Sequence, residues 1–345
     1  MSTASSTKPQ PGARPRIYHP TPANLARLAT ILRRGGLVGV PSETVYGLAA
    51  DALSARACAG IFTAKGRPGT DPLIVHLASA RDLAQVAVPN ASALRLAAAC
   101  WPGPLTLVLP KLPCVPDIVT AGRPTVAVRV PDHPLFRKLI RLAGRPLAAP
   151  SANPFGYISP TTAAHVRDGL SGTALRAVLD GGECTVGVES TIIDLTDPTR
   201  PRLLRPGGLA VETIERVLGQ RVLRPRPARL SVGTAAPAPG MLTQHYSPRT
   251  RLSLHTRIDA AAIAALPADE AVLLLRRPAG FAQPEVRIRW LSETGSLDDI
   301  ARGLFAELRA LDAAGWTHLH AEFPVGQEGL APAIRDRLTR AAAKR

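Results

Sequence analysis

Several features that would define a class of protein are scarce in this sequence. Its 345 residues contain no run of about 18 apolar residues, so a membrane span is not expected. Aromatic residues make up 4% of the chain and are not interleaved with basic residues in the way that stacks nucleic-acid bases. This argues against a non-catalytic RNA-binding module. The four cysteines form no CxxC pair, so we expect buried thiols in a reducing compartment rather than a zinc site or a cysteine nucleophile.

Familiar catalytic signatures are also missing. GxxxxGK[ST], a GxGxxG after a strand, GxSxG and HExxH do not occur. Any phosphate must therefore be held by side-chain cations and scattered backbone amides. Residues 1–16 lack the apolar core of a signal peptide and are expected to form a flexible tail, which makes the cytoplasm the expected compartment.

Acidic residues are outnumbered by basic ones, 26 to 42, for a net charge of +16. Residues 1–224 carry 26 Lys and Arg against 14 Asp and Glu, or +12, and residues 225–345 carry 16 against 12, or +4. The excess indicates a polyanionic partner or a phosphorylated substrate, or else arginine-rich solvated faces. Because no run of five or six basic residues occurs, charge alone does not specify RNA.

Short apolar runs alternate irregularly with amphipathic segments over the first 223 residues. Residues 21–36 predict a helix with Thr21 as N-cap and Pro22 at its first position. Further helices are predicted from Ser54, near Ser79 and Asn90, and over 134–143 and 211–219. Strands are predicted at 37–40, 73–77, 105–110, 126–131, 147–153, 177–180, 190–195 and 202–206. The pattern predicts an α/β fold with a mixed sheet.

The composition changes between residues 224 and 248, which are rich in Pro, Ala and Gly and lack periodicity. A segment of this length is usually functional or connects domains. The α/β pattern then resumes, with a helix from Ser296 to about Ala314 and Asp299 in capping-box position. We therefore expect a catalytic domain at 17–223, a linker over the active site at 224–248, and a smaller α/β domain at 249–345.

The stretch FTAKGRPGTDPLIVH, residues 62–76, places two cations around a glycine. Because Arg67 precedes Pro68, the backbone is expected to be extended, so that Lys65 and Arg67 point to one spot. Gly66 would let a ligand approach the backbone. Two converging cations suit an anion; the alternative is a solvated basic loop.

Polar clusters follow strand ends elsewhere, in PSETVYGL (41–48), AAPSANPFGYISPT (148–161), GVESTIID (187–194) and RLLRPG (202–207). Ligands of open α/β sheets bind beyond strand ends. These clusters predict a pocket for a phosphorylated, hydroxyl-rich molecule. Taken singly, each could be a cap or a loop, with Glu43 and Glu189 solvated.

KGRP with DPLIVH, SETVYGL, PSAN, ESTIID and RPG, in this order and at these spacings, closely resemble the threonylcarbamoyl-AMP synthase family, the YrdC-like proteins. PGMLTQHYSP before a second α/β domain resembles the longer, two-domain branch. The resemblance runs from about residue 20 to the C-terminus and is strongest over 36–206. It implies a YrdC-like twisted mixed sheet with flanking helices and a smaller C-terminal α/β domain.

The implied activity is nucleotidyl transfer: L-threonine, bicarbonate and ATP give L-threonylcarbamoyladenylate and pyrophosphate. A downstream transferase enzyme then modifies the adenosine beside the anticodon of tRNA, and this chain would make at most a weak tRNA contact. A YrdC-like module also occurs in a hydrogenase-maturation carbamoyltransferase, the alternative activity, but its zinc-finger and acylphosphatase regions have no counterpart here.

Site roles follow from the resemblance position by position. Contacts with threonine are implied for Thr44, His76, Arg129, Ala149 and Ser190. Contacts with ATP are implied for Arg67, Asp71, Thr125, Ser151, Ser159, Arg205 and Tyr246. Lys65, Arg67 and Asn153 would act as catalytic residues that hold phosphates and substrate. Mg²⁺ is expected on the phosphates, without an evident protein ligand set. Asp71 stands where relatives often have Asn. The linker motif is PGMLTQHYSP where relatives commonly have Lys and Tyr after PGM, and His245, Tyr246 and Pro248 remain.

Overall fold

The chain folds into two α/β domains, each built on its own sheet. The structure, a computed structural model, describes residues 14–224, 236–240, 245–281 and 285–343. Within these ranges no helix has the length and apolar character needed to cross a membrane.

The larger domain has a ten-stranded sheet of order β1-β8-β2-β3-β7-β4-β6-β5-β9-β10. Its strands are β1 (Arg16–Tyr18), β2 (Val38–Val40), β3 (Gly47–Asp51), β4 (Ile74–His76), β5 (Leu105–Pro110), β6 (Thr125–Arg129), β7 (Leu147–Ala148), β8 (Ala177–Leu179), β9 (Thr191–Asp194) and β10 (Arg202–Arg205). Strand β4 runs parallel to β6 and antiparallel to β7, so the predicted mixed sheet is confirmed.

The helices of this domain are α1 (Pro22–Arg33), α2 (Ala55–Lys65), α3 (Ala91–Cys100), α4 (Asp117–Thr120), α5 (Pro134–Ala143), α6 (Ala163–Gly169) and α7 (Val211–Leu218). The helices predicted for this domain begin close to their predicted positions, except for the segment after Ser79, and α4 and α6 were not predicted. The side chains of Thr21, Ser54 and Asn90 each accept a backbone N–H as N-caps. The segment after Ser79 is a 3-10 helix, Ala80–Gln85, rather than an α-helix.

The backbone at Lys65 differs from the extended form predicted for it. Lys65 ends α2, and Gly66 follows as a left-handed cap at φ 62°. The N–H of Arg67 closes the turn on the carbonyl of Phe62 at 3.0 Å. Gly66 is therefore needed for its positive φ, and a Cβ there would have no neighbour within 4 Å. The extended-strand argument was wrong because a helix cap decides the local geometry.

The thiol prediction holds only in part. All four cysteines are free, and Cys58 and Cys184 are buried. Cys100 is half-buried and Cys114 is exposed, so burial does not extend to every thiol.

The smaller domain has a four-stranded parallel sheet of order β11-β14-β12-β13. Its strands and helices are β11 (Arg251–His255), α8 (Ala260–Ala265), β12 (Glu270–Arg276), β13 (Ile288–Ser292), α9 (Leu297–Ala313), β14 (His318–Glu322) and α10 (Ala331–Ala341). One sheet face packs against α9 and α10, and residues near α8 pack on the other.

The two domains share apolar packing. The cluster around α9 and α10 also contains Val45, Ile158, Val188 and Tyr246, which belong to loops of the larger domain and to the connection. A Cβ on Gly187 would lie 2.4 Å from backbone atoms of Ala301 and Arg302. The smaller domain therefore lies directly against the loops in which the sequence predicts a pocket.

Candidate functional site

A cavity of about 50 Å³ lies among the loops that follow β2, β7 and β10. Nine of the fourteen side chains proposed from the sequence line it: Thr44, Arg67, His76, Arg129, Ala149, Ser151, Ser190, Arg205 and Tyr246. Sequence reasoning assigned no role to other wall residues, among them Ser42, Ile74, Phe136, Glu189 and Gly240. Guanidinium groups and hydroxyls from seven separate segments of the sequence thus converge on one space.

The other five proposed residues do not line the cavity. Lys65 lies behind it, where Nζ donates to the carbonyls of Ser151 and Asn153, each at 2.5 Å. The Asn153 amide in turn donates to the carbonyl of Tyr157 at 2.8 Å. Ser159 and Asp71 are also buried away from the lining, and Thr125 is a half-buried residue at the start of β6. In this arrangement Lys65 and Asn153 fix the shape of the PSAN loop.

Three buried carboxylates are each paired with a guanidinium at or behind the cavity wall, and of the three Glu189 lines the cavity. Arg67 contacts Asp71 at 2.9 Å, Arg129 contacts Glu43 at 2.6 Å, and Arg337 contacts Glu189 at 2.6 Å. All six side chains are buried. The suggestion that Glu43 and Glu189 are solvated was therefore wrong, because both neutralise a buried arginine.

The Asp71 position shows how one departure from the family pattern is accommodated. Burial raises the pKa of Asp71, while the guanidinium of Arg67 works in the opposite direction. Arg67 also donates to the carbonyls of Asp71 and Pro72, at 3.0 and 2.6 Å. The arginine therefore balances the carboxylate and is itself fixed in place.

Arg129 is held from three sides at the end of β6. Its Nε donates to the carbonyl of Gly103 at 3.1 Å, Nη1 donates to Oγ1 of Thr44 at 2.9 Å, and Nη2 faces Glu43. His76 is its register partner on β4. Burial, and then the charge of Arg129, lowers the pKa of His76 to about 3. His76 is therefore a neutral group in the wall near pH 7.

Arg205 is fixed against the ESTIID strand. Its Nη2 donates to the carbonyl and the hydroxyl of Ser190, at 2.9 and 3.2 Å, and Nη1 donates to the carbonyl of Pro239 at 3.1 Å. This close packing explains the glycine of the RPG motif. A Cβ on Gly207 would lie 2.3 Å from the carbonyl oxygen of Glu189.

The described parts of the connection, 236–240 and 245–248, form one wall of the cavity. Tyr246 has a φ of 65°, unusual for a residue other than glycine, and its ring stacks on Phe305 at 5.5 Å. Its buried hydroxyl forms no hydrogen bond with any described residue. The remainder of the PGMLTQHYSP motif, residues 241–244, lies outside the described residues.

Arg337 lies behind this wall, against Glu189 and Tyr246, and sequence reasoning did not single it out. It is fully buried on α10, with its guanidinium 5.1 Å from the ring of Tyr246. A signal was present, because Arg337 falls on the apolar stripe of α10 with Ile334, Leu338 and Ala341. A charge on a buried stripe indicates a partner across an interface.

Two family models together match most of the chain. The model described as Telomere recombination, which covers Sua5, YciO and YrdC proteins, matches residues 30–207. The model described as Threonylcarbamoyl-AMP synthase, C-terminal domain, matches residues 209–343.

Relatives and solved structures agree over nearly the full length. A threonylcarbamoyl-AMP synthase of Pyrococcus abyssi is 43% identical over 327 residues, which cover 92% of this chain and 93% of the relative. One of Bacillus subtilis is 38% identical over 338 residues, 93% of each. A crystal structure of P. abyssi Sua5 complexed with L-threonine superposes with a TM-score of 0.84 at 40% identity, covering 95% of this chain and 97% of that one.

Proposed function

The chain belongs to the threonylcarbamoyl-AMP synthase family, and we propose that it condenses L-threonine, bicarbonate and ATP into L-threonylcarbamoyladenylate with release of pyrophosphate. One observation carries this proposal. Arg67, Arg129, Ser151, Ser190 and Arg205, which come from separate sequence clusters, line one cavity.

Threonine binding is assigned to the end of the cavity near Arg129. Its guanidinium can hold a carboxylate by two parallel hydrogen bonds, a geometry that lysine cannot reproduce. Ile74, Phe136 and Ala149 supply an apolar wall beside it, suited to the threonine methyl group. Neutral His76 adds a ring nitrogen without adding a second positive charge.

ATP is assigned to the end of the cavity near Arg67 and Arg205. Bicarbonate takes up a proton and loses water to give CO₂, and the neutral threonine amine attacks this CO₂ and releases a proton. An oxygen of the resulting carbamate then attacks the α-phosphorus, so that the bond to pyrophosphate breaks. The two guanidiniums would neutralise the charge that develops on the phosphate oxygens. This chemistry depends on positioning and electrostatics, which suits a cavity whose described wall offers no activated nucleophile.

Mg²⁺ fits only as an ion carried by the nucleotide. The buried carboxylates Glu43, Asp71 and Glu189, of which Glu189 lines the cavity, are each paired with an arginine. A protein-held ion would have to break one of these pairs. We therefore assign Mg²⁺ to the phosphates and water, as is usual for this ion, and give it no protein ligand.

The connection between the domains is proposed to open and close over the site. A cavity of about 50 Å³ is far smaller than the roughly 300–1,000 Å³ of ordinary ligand pockets, so the wall residues Gly240 and Tyr246 would move outward as ATP enters. Their return would exclude water from a hydrolysable adenylate. Removing residues 224–345 would not test this movement alone, because it would also remove Arg337 from Glu189 and uncover the apolar residues that pack against α9 and α10.

The decisive measurement is pyrophosphate release from purified protein with ATP and bicarbonate, with and without L-threonine. Release that requires both threonine and bicarbonate supports the proposal, and threonine-independent release overturns it. Carbamoyl phosphate in place of threonine and bicarbonate tests the carbamoyltransferase alternative. Filter binding with tRNA tests the weak nucleic-acid contact. Transfer of the threonylcarbamoyladenylate product to a downstream transferase enzyme and a cytoplasmic location are part of the same proposal.

A further inference from the structure

Two histidines and a glutamate meet on one face of the four-stranded sheet, remote in sequence from the cavity residues. His318 and His320 are two apart on β14 and so share a face, and Glu270 at the start of β12 is the register partner of His318. One candidate ligand atom from each side chain lies within 4.8 Å of the other two. Among the described residues this is the one group of three or more His, Cys, Asp or Glu with such spacing.

Each imidazole is held by an outer partner on β11. Nε2 of His318 lies 2.9 Å from Oγ of Ser253, and Nδ1 of His320 lies 3.0 Å from Nε2 of His255. The opposite ring nitrogen of each histidine faces Glu270. Metal-binding histidines characteristically have this arrangement, in which an outer hydrogen bond fixes the ring and leaves the inner nitrogen to the metal.

The inner atoms are not fully satisfied by one another. Nε2 of His320 lies 2.8 Å from Oε2 of Glu270, but Nδ1 of His318 lies 3.9 Å from Oε1. The second distance is too long for a hydrogen bond, and in the described part of the chain no other group bonds that nitrogen. Hydrogen bonds among these side chains therefore leave Nδ1 of His318, which faces Glu270, without a hydrogen-bond partner in the described part of the chain.

We propose that Glu270, His318 and His320 bind one divalent transition-metal ion of the zinc type. Two imidazoles and one carboxylate favour Zn²⁺ or Co²⁺ over Mg²⁺ or Ca²⁺, which prefer all-oxygen sites. Metal–ligand bonds of about 2.1 Å place tetrahedral ligands roughly 3.4 Å apart, so the 2.8 Å contact between His320 and Glu270 would open and the more widely separated atoms, which lie within 4.8 Å, would close.

The surroundings are compatible with an accessible ion. The three side chains are 12–18% exposed, which leaves a fourth coordination position open to water or an exogenous ligand. Arg251 lies in register with His318 and its charge opposes a cation. Its side chain is exposed, so solvent screens this repulsion.

The test uses untagged full-length protein stripped with a chelator. Zn²⁺ is titrated in competition with a chromophoric chelator, and Co²⁺ is followed by visible absorption. We expect one ion per chain. His318→Asn and His320→Asn should each weaken Zn²⁺ binding by at least 100-fold, and His255→Asn, which removes only an outer partner, by about 10-fold. His19→Asn is the matched control, because that side chain is 83% exposed in the other domain, and it should bind like wild type.

Two results would overturn the proposal: no stoichiometric Zn²⁺ binding by wild type at about 100 μM, or equal binding by the His318→Asn/His320→Asn double variant. Loss of fold in a variant is detected independently. Zn²⁺ should raise the Tm of wild type and of the His19 variant, whereas Glu270→Gln, nearly isosteric with the native residue, should keep its circular dichroism spectrum and lose this shift. None of these readouts involves ATP or threonine, so they stand apart from the proposed synthase activity.

Discussion

Arg337, on the last helix of the chain, donates through Nε to Oε2 of Glu189 at 2.6 Å, while Oε1 of the same glutamate accepts the hydroxyl of Ser159 at 2.6 Å. Nearby cations, Arg337 first, hold the pKa of Glu189 below its usual range despite the opposing effect of burial. A side chain of the smaller domain therefore completes the electrostatics of the cavity wall in the larger one.

Removing this arginine should destabilise the whole protein. Arg337→Met leaves Glu189 buried and unpaired, so we expect the free energy of unfolding to fall by about 3–5 kcal/mol, as measured by urea denaturation. The double variant Glu189→Gln/Arg337→Met removes the stranded charge and should be more stable than Arg337→Met alone. If the losses of the two single variants simply add in the double variant, the residues are not coupled.

Arg129 should determine the affinity for threonine. In Arg129→Lys the charge stays but the two-pronged geometry is lost, so we expect KM for threonine to rise about 10- to 100-fold, the equivalent of about 1.5–3 kcal/mol for a charged hydrogen bond. KM for ATP should stay within about twofold. Steady-state pyrophosphate release measures both KM values. An equal rise in KM for threonine and KM for ATP would contradict a specific role of Arg129 in threonine binding.

The hydroxyl of Tyr246 should matter for turnover but not for folding. It has no hydrogen-bond partner among the described residues, so Tyr246→Phe should leave the Tm within about 1 °C of wild type while lowering kcat/KM for ATP about tenfold. Tyr157→Phe is the matched control. That hydroxyl donates to Asp312 at 2.7 Å, so its loss should lower the Tm and leave the ATP constants unchanged. The reverse pattern would assign Tyr246 a purely structural role.

Gly207 should tolerate no side chain. The added Cβ of Gly207→Ala would lie 2.3–2.4 Å from backbone atoms of Glu189, Ser190 and Thr191, which must shift together with Arg205. We expect a loss of roughly 2–4 kcal/mol in unfolding free energy, typical of overpacking in a rigid site. Gly69→Ala, where a Cβ has no neighbour within 4 Å, should be neutral in the same thermal and urea measurements. Equal stability of the two variants would contradict this packing.

The lowered pKa of His76 predicts that the protein becomes less stable as the pH falls. That pKa is lowered to about 3 in the folded protein, by burial first and then by Arg129. The unfolded chain, with a pKa near 6.5, therefore binds the proton first as the pH falls. Stability is unaffected by this group above about pH 6.5 and declines between about 6.5 and 3, by up to about 1.4 kcal/mol per pH unit.

His76→Asn should remove that part of the acid slope. Urea denaturation between pH 7 and 4.5 measures it, with His165 and His245, whose pKa values burial also lowers, contributing equally to both proteins. Identical slopes for wild type and variant would show that His76 is not kept neutral.

The parts of the fold that could be predicted depend on local chemistry. Thr21 followed by Pro22 begins a helix, and Gly144 ends one, because caps act within a single turn. The meeting of Ser151, Ser190 and Arg205 was also predictable, because strand ends of an α/β sheet converge whatever lies between them in sequence. Arg129 was placed in the site by the family resemblance.

The misses share a different cause. The pairing of Glu43 with Arg129 and of Glu189 with Arg337 depends on contacts between residues 86 and 148 positions apart. No local pattern encodes such a distance, so a solvated glutamate and a buried one look alike in sequence. The extended backbone predicted at Lys65 was wrong for a local reason, because a glycine in this position can equally be a helix cap or part of an extended loop.

The apolar packing that joins the domains also limits how this architecture can be shortened. Val45, Ile158 and Val188 pack against α9 and α10. A chain that stopped near residue 207 would therefore expose an apolar patch beside the proposed active site. A protein that consists of the larger domain alone must therefore have hydrophilic residues at these positions or bury them against another molecule. The residues at these three positions in relatives that match only the larger domain would distinguish the two possibilities.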